Sequence, residues 1–287
     1  MLIYELLHCP SHPISLTERE LLLSKVLHCS REALYINDQI KLTSYQQHRL
    51  QTLIKRRLTG EPLAYILGYQ NFWEQNLKIN QNVLIPRPET ELVVELALAK
   101  LGAKNNAYVA DLGTGSGAIA IALALTRPTW NVMATDISSK ALTLAKNNAR
   151  RLKAANIKFK LGSWLQALPT KPLLDMIVAN PPYIAPQDPY LRGSIRFEPR
   201  SALVAPQNGL ADLKTIITKA PYYLKLGGWL IVEHGYNQEK EVKALFKNCK
   251  AYGPASIYLD YAKHPRVSAA PIKLRLNVAD RECALHQ

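Results

Sequence analysis

The sequence predicts an α/β fold preceded by a small helical segment, and three observations predict it. Before Pro62, leucines recur at helical spacing behind polar capping signatures. From Ala107 onward, short apolar runs of strand length alternate with helical periods. Between the two, around Gln75-Asn76, the texture changes to short aromatic and apolar runs.

The elements follow in order. Ser15-Leu16-Thr17-Glu18 reads as a capping box opening a helix to about Leu27. Ser44-Tyr45-Gln46-Gln47 reads as a second one, with Leu50, Leu53, Ile54 and Leu58 behind it and Gly60 as a stop. Tyr69–Trp73 and Leu77–Ile79 suggest two short strands turning at Gln75-Asn76, a hairpin between two domains. Pro88 suits the first turn of a helix carrying Leu92, Val93, Leu96 and Leu101, with Gly102 ending it. Five strands are then expected: Tyr108–Leu112, Asn131–Thr135, Ile157–Leu161, Met176–Ala179 and Trp229–Glu233. Strand and helix in alternation imply a mostly parallel sheet covered on both faces, with its ligand at the carboxyl ends of the strands. Residues 181–208, rich in proline, read as a long loop, and long loops in compact domains are often functional.

Composition narrows the class. The chain has 287 residues, comfortable for two domains, and is 48% hydrophobic, so a sizeable core is affordable by area alone. The longest apolar run, Ala118–Leu125, is far too short to span a bilayer, and Met1–Glu5 lacks a signal-peptide pattern, so a soluble, cytoplasmic chain is expected. Cys9, Cys29, Cys249 and Cys283 have no zinc or redox spacing, and no metal is expected. The net charge of +14 fits nucleic acid, an acidic protein partner or plain solubility. Its basic residues are dispersed and do not choose among these.

Asp111-Leu112-Gly113-Thr114-Gly115-Ser116-Gly117 lies between a strand and an apolar helix. Glycines there let the backbone turn tightly and approach a ligand. Asp136 closes the next strand, where a carboxylate can grip both ribose hydroxyls of a nucleoside. A dinucleotide fits the glycines loosely. The acid at Asp111, however, would repel a pyrophosphate and suits the cationic methionine part of S-adenosylmethionine. After the third strand, Trp164 either stacks on adenine or serves as a core or rim tryptophan.

Asn180-Pro181-Pro182-Tyr183 ends the fourth strand and is the strongest signal in the chain. The Asn180 side-chain oxygen can accept one N–H of an NH₂ group and the Pro181 carbonyl the other. The prolines stiffen the turn, and Tyr183 can lie against a flat substrate group. An amide or arylamine nitrogen is a poor nucleophile because its lone pair is delocalised. Two acceptors orient it and stabilise the positive charge that grows as it attacks a methyl group. His234 ends the fifth strand and reads as an ordinary strand-end histidine, as His8, His12, His28 and His48 read as helix residues.

Together with Pro62–Gly68, Leu84–Glu91 and Phe197-Glu198-Pro199, these segments resemble the HemK/PrmC protein-(glutamine-N5) methyltransferases of class I peptide chain release factors. The resemblance runs to about Val267. It implies a class I (Rossmann-like) methyltransferase sheet, an N-terminal helical domain that recognises substrate over 1–62, a hairpin linker over 63–86, the catalytic domain over 87–270 and a tail over 271–287. It implies S-adenosyl-L-methionine at Gly113, Thr114, Gly115, Ser116, Gly117, Asp136, Trp164 and Asn180, and substrate at Asn180, Pro181, Pro182 and Tyr183, with Asn180, Pro181 and Tyr183 catalytic. The substrate implied is the glutamine of the factors' Gly-Gly-Gln tripeptide, with no membrane, no direct nucleic acid and a monomeric enzyme. Ser163 departs from the pattern, standing where some relatives carry an acid. The competing readings are a glutamine methyltransferase of a ribosomal protein, a nucleic-acid adenine-N6 methyltransferase and a non-catalytic binding module.

Overall fold

The structure, a computed structural model, describes residues 2–169 and 174–274, which fall into two compact units. One is the chain up to Tyr69 with Pro189–Phe197, and the other runs over Gln70–Asp188 and from Glu198 onward.

The first unit contains α1 (Ile3–Leu7), α2 (Leu16–Leu27), α3 (Arg31–Ile36), α4 (Ser44–Leu58) and α5 (Leu63–Leu67). The Ser15 box forms as expected: its hydroxyl accepts the Glu18 N–H, and Glu18 accepts the Ser15 N–H at 3.0 Å. The second box sits one residue earlier than expected. Thr43, not Ser44, holds the extended backbone of a cap; its hydroxyl accepts the Gln46 N–H at 3.2 Å while Gln46 accepts the Thr43 N–H at 2.9 Å. Leu22, Leu23, Leu34 and Leu50 form the buried centre of this unit. Helix α4 ends beside Gly60, at φ 90°, and the short helix α5 follows in the stretch read as linker. Arg196 donates to the Thr59 carbonyl at 2.7 Å, which ties Pro189–Phe197 to these helices.

The second unit begins in the hairpin β1 (Tyr69–Phe72) and β2 (Gln75–Lys78). Gln75 and Asn76 lie in β2; the turn is Trp73-Glu74, where Trp73 takes a left-handed φ of 54°. A 3₁₀ turn, Pro88–Thr90, leads into α6 (Glu91–Leu101), which stops at Gly102. Then come β3 (Tyr108–Leu112), α7 (Ala118–Thr126), β4 (Asn131–Asp136), α8 (Ser139–Arg151), β5 (Ile157–Leu161) and β6 (Leu174–Ala179). A single distorted turn α9 (Pro206–Gly209) precedes α10 (Ala211–Lys219), β7 (Leu224–Glu233), α11 (Glu239–Asn248), β8 (Ser256–Leu259) and β9 (Pro265–Pro271).

Seven strands form one sheet in the order β5-β4-β3-β6-β7-β9-β8, parallel except for β9, which runs antiparallel to both β7 and β8. Both faces are covered: Val109 faces the core made by α6 and α7, while Ala110 and Leu112 face the one made by α10 and α11. Helix α7 is apolar all round because it is buried all round. The five expected strands are present, but β7 begins at Leu224, not Trp229, and passes through Gly227-Gly228 at an irregularity in its pairing with β6. Strands β8 and β9 carry no clear period-two signal and were not anticipated. Within 181–208 the chain makes 3₁₀ turns and a parallel bridge between Ile184 and Val204. The sheet extends through Pro271, with Ile272 bridging Tyr252; residues 275–287, most of the expected tail, lie outside the described residues. No helix among the described residues is long and apolar enough to cross a membrane.

Candidate active site

The carboxyl ends of β3, β4 and β6 surround a cavity of about 420 Å³, the size range of small-ligand sites. Of the residues singled out from the sequence, Gly113, Gly115, Asp136, Ser163, Trp164, Asn180 and Pro182 line it. Asp111, Thr114, Ser116, Gly117, Pro181 and Tyr183 are not part of this lining.

The glycine loop folds around two carboxylates. Asp136 accepts the Gly115 N–H on Oδ2 at 2.9 Å and the Ser138 N–H on Oδ1 at 2.8 Å. A carboxylate has about four acceptor sites, so capacity for a ligand hydroxyl remains. Burial still pushes its carboxyl above the usual range, against those bonds. Asp111 is 1% exposed. Its Oδ2 accepts the Thr114 hydroxyl at 2.7 Å and the Ala120 N–H at 3.2 Å, while Oδ1 is buried with no partner. Burial raises this carboxyl to about 7. Gly113, at φ 72°, lies under the Trp164 ring, and a Cβ there would come within 2.9 Å of it. No side chain can replace that hydrogen without moving the indole. Asn148 fixes the rest of the loop: it donates to the carbonyls of Ser116 and Lys78 and accepts the Lys78 N–H.

Trp164 stands where it can act as a rim tryptophan of the cavity, packed on the core behind it. It lines the cavity, and it is half-buried against the α10 core with Nε1 donating to Asp212 at 2.9 Å. Asp212, which also lines the cavity, carries a carboxyl raised by burial. His234 is not part of this lining; it is buried, bonded to the Ser268 hydroxyl and the Gly235 carbonyl, and burial lowers its pKa.

At the end of β6, Asn180 donates from Nδ2 to the Thr90 hydroxyl at 3.0 Å, so its Oδ1 stays available as an acceptor. Tyr183 donates its hydroxyl to Glu233 Oε1 at 3.3 Å, and its carbonyl accepts from Gln238 Nε2 at 3.0 Å. Gly209, at φ 84°, passes so close that a Cβ would stand 2.0 Å from the Tyr183 carbonyl oxygen. The turn is thus held from three sides before any ligand arrives.

Residues 103–271 match the methyltransferase domain family, and residues 11–68 match the PrmC N-terminal domain. The release factor glutamine methyltransferase of Coxiella burnetii is 48% identical over 80% of this chain and 82% of its own length. The chain belongs to the release factor glutamine methyltransferase family. A second member, from Buchnera aphidicola subsp. Schizaphis graminum, is 41% identical over 93% of this chain and 94% of its own. Among solved structures, a methyltransferase from Pyrococcus furiosus aligns with a TM-score of 0.53 at 16% identity, covering 78% of this chain and 98% of that one, a likeness of fold.

Within this member of the family, sequence reasoning missed Gln81–Val83 and Ser201-Ala202 of the lining, Asp212, and the Thr90, Glu233 and Gln238 supports. Thr90 and the lining residue Leu84 stand inside a segment already noted for its resemblance. Asp212, Glu233 and Gln238 are single polar residues whose partners lie far along the chain, and Gln81–Val83 and Ser201-Ala202 carry no pattern of their own.

Proposed function

We propose that the protein transfers a methyl group to the side-chain amide nitrogen of the glutamine in the Gly-Gly-Gln tripeptide of class I release factors. Membership of the family supports this, and one observation carries it at the atomic level. Asn180 stands at the end of β6 on the cavity wall, with its amide nitrogen engaged by Thr90 and its oxygen free.

The methyl donor is S-adenosyl-L-methionine, which supplies an electrophilic methyl group on a sulfonium. The residues fit it. Asp136 keeps acceptor capacity for vicinal hydroxyls, Gly113 and Gly115 offer bare backbone, and the Asp111 carboxyl, raised to about 7 by burial, is a group that a cationic ligand nearby would draw into its ionised form. Asn180 Oδ1 and the Pro181 carbonyl would each accept one N–H of the glutamine amide. The amide plane is thereby fixed, so that one face of the nitrogen can meet the methyl group, and the charge that grows on nitrogen is stabilised. As the N–CH₃ bond forms the S–CH₃ bond breaks, leaving the thioether, and the nitrogen releases one proton to solvent. Tyr183, held by Glu233 and Gln238, would form the wall against the amide plane. Thr114, Ser116, Gly117 and Pro182 are assigned to shaping these surfaces.

A glutamine side chain has too little surface to be chosen alone, so remote contacts with the folded factor supply most of the binding. The helical unit is assigned that role. Intact-mass measurement of purified release factor after incubation with enzyme and cofactor is expected to show a gain of one methyl group, mapped by tandem mass spectrometry to the tripeptide glutamine. A short Gly-Gly-Gln peptide should react far more slowly than the folded factor. Methylation of adenine-bearing DNA or of a ribosomal protein, with an unmodified factor, would transfer the chain to one of the competing readings.

A further inference from the structure

Two residues outside the Asn180–Tyr183 turn stand behind it. Thr90 is buried, and its hydroxyl accepts from Asn180 Nδ2 across a separation of 90 positions. A hydroxyl carries one proton. A Thr90 oxygen that accepts from Asn180 still has that proton to give, and Thr90 is a neighbour of the Glu233 carboxyl: burial raises that carboxyl to about 7, and the Thr90 hydroxyl is among the groups that act to lower it. Glu233, 1% exposed at the end of β7, also accepts the Tyr183 hydroxyl on Oε1, while Oε2 is buried with no hydrogen-bond partner.

The direction of this chain matters for the chemistry. An Asn180 amide rotated by half a turn would present a donor to the NH₂ of the substrate, donor against donor. With Nδ2 committed to Thr90, only Oδ1 remains to face that group. The Asn180 side chain cannot set this preference by itself, because its two ends have nearly the same shape. A threonine hydroxyl oriented by a carboxylate can, since it has a lone pair to offer and no free proton to compete.

We propose that Thr90 and Glu233 are positioning residues for methyl transfer. The Glu233 carboxyl orients the Thr90 hydroxyl, Thr90 keeps Asn180 Oδ1 free for the substrate nitrogen, and the same carboxyl anchors Tyr183. This rests on the reading of Asn180 as the acceptor for the glutamine amide. One buried group thereby serves both functional side chains of the turn. A buried carboxyl is costly to keep without a strong reason. Arg266 on β9 and Glu89 beside Thr90 complete the charges facing it.

The test measures turnover of Thr90→Val with saturating cofactor and folded release factor. The substitution keeps the side-chain shape and removes the hydroxyl. Turnover is expected to fall about ten- to a hundredfold, the range for misplacement of a reacting group. Calorimetric affinity for S-adenosylhomocysteine and the KM for the factor should stay within about twofold, since most of the factor's binding comes from remote contacts and the cofactor is held mainly by groups other than Asn180. Thr90→Ser should restore most of the loss, which a role in packing alone would not do. Glu233→Gln should also lower turnover, and the double variant should be little worse than the poorer single one, because both break the same chain. Wild-type turnover in T90V, or losses that multiply in the double variant, would overturn the proposal. N180A separates the two levels. An inactive N180A beside a normal T90V removes only the Thr90–Glu233 chain, whereas an active N180A removes the clamp and this inference with it.

Discussion

The two ends of the cavity are built by different means. At the cofactor end the two carboxylates are met by groups nearer in the chain: Thr114 bonds Asp111 three positions away, and Gly115 bonds Asp136 across 21, with Asn148 and Asp212 as the long-range supports around them. Most donors there are backbone N–H groups, whose directions are set once strand, turn and helix form. At the transfer end the partners are distant. Thr90 and Asn180 are 90 positions apart, Tyr183 and Gln238 55, and Tyr183 and Glu233 50. There the donors are mostly side chains, each with its own rotamers to be held by packing. The first end should therefore tolerate change in its surroundings and fail only at its own residues. The second should fail when any member of its network is altered.

Three measurements sharpen or break that contrast. The largest effect is expected for Asn180→Ala, which should cut turnover by about 100-fold or more, as loss of a transition-state hydrogen bond does, while shifting cofactor affinity much less. Single-turnover assays with the folded factor give the first quantity and calorimetry the second. Equal loss in both would erase the distinction between the two ends. Asp136→Ala should do the reverse. Cofactor affinity should weaken by about 1.5–3 kcal/mol, with turnover at saturating cofactor changed little. An affinity unchanged in titration calorimetry would remove Asp136 from the cofactor site.

The smallest effect is on stability and depends on pH. Burial raises the Asp111 carboxyl from 3.8 to about 7. Between those values the folded chain binds a proton that the unfolded chain has released, so stability falls as pH rises through the window and levels off above it. Asp111→Asn cannot ionise and can still accept from Thr114 and Ala120. It should gain stability over the parent as pH increases, reaching about 1–2 kcal/mol by pH 8 in urea unfolding without cofactor, after allowance for local relaxation. A difference that does not vary between pH 5 and pH 8 would show that Asp111 is ionised throughout, with its buried Oδ1 satisfied in solution.

Much of the molecule was legible in the sequence because much of it is local. The Ser15 box, the Gly102 stop and the strands Tyr108–Leu112 and Ile157–Leu161 depend on patterns a few residues long. The loop from Asp111 to Gly117 and the turn from Asn180 to Tyr183 are likewise contiguous, so their residue types announce them. The cap at Thr43 and the turn at Trp73-Glu74 were each misplaced by one or two positions. In both places neighbouring polar residues offer similar hydrogen bonds, and only the surrounding packing selects one. Strands β8 and β9 were invisible for a related reason: Pro265–Pro271 is made acceptable as a strand by β7 on one side and β8 on the other.

The sequence by itself determined the fold class, the family and the two ends of the cavity, since each is written in a continuous stretch with a characteristic period or turn. Only the tertiary structure decided what stands behind them. The order of strands in the sheet brings Glu233 at the end of β7 beside Asn180 at the end of β6, and the approach to α6 lays Thr90 against both. It also hands the Trp164 indole to Asp212, 48 positions on. A hydrogen bond between distant residues leaves no periodic trace in the chain, because its partners are chosen by how layers pack and not by what precedes them.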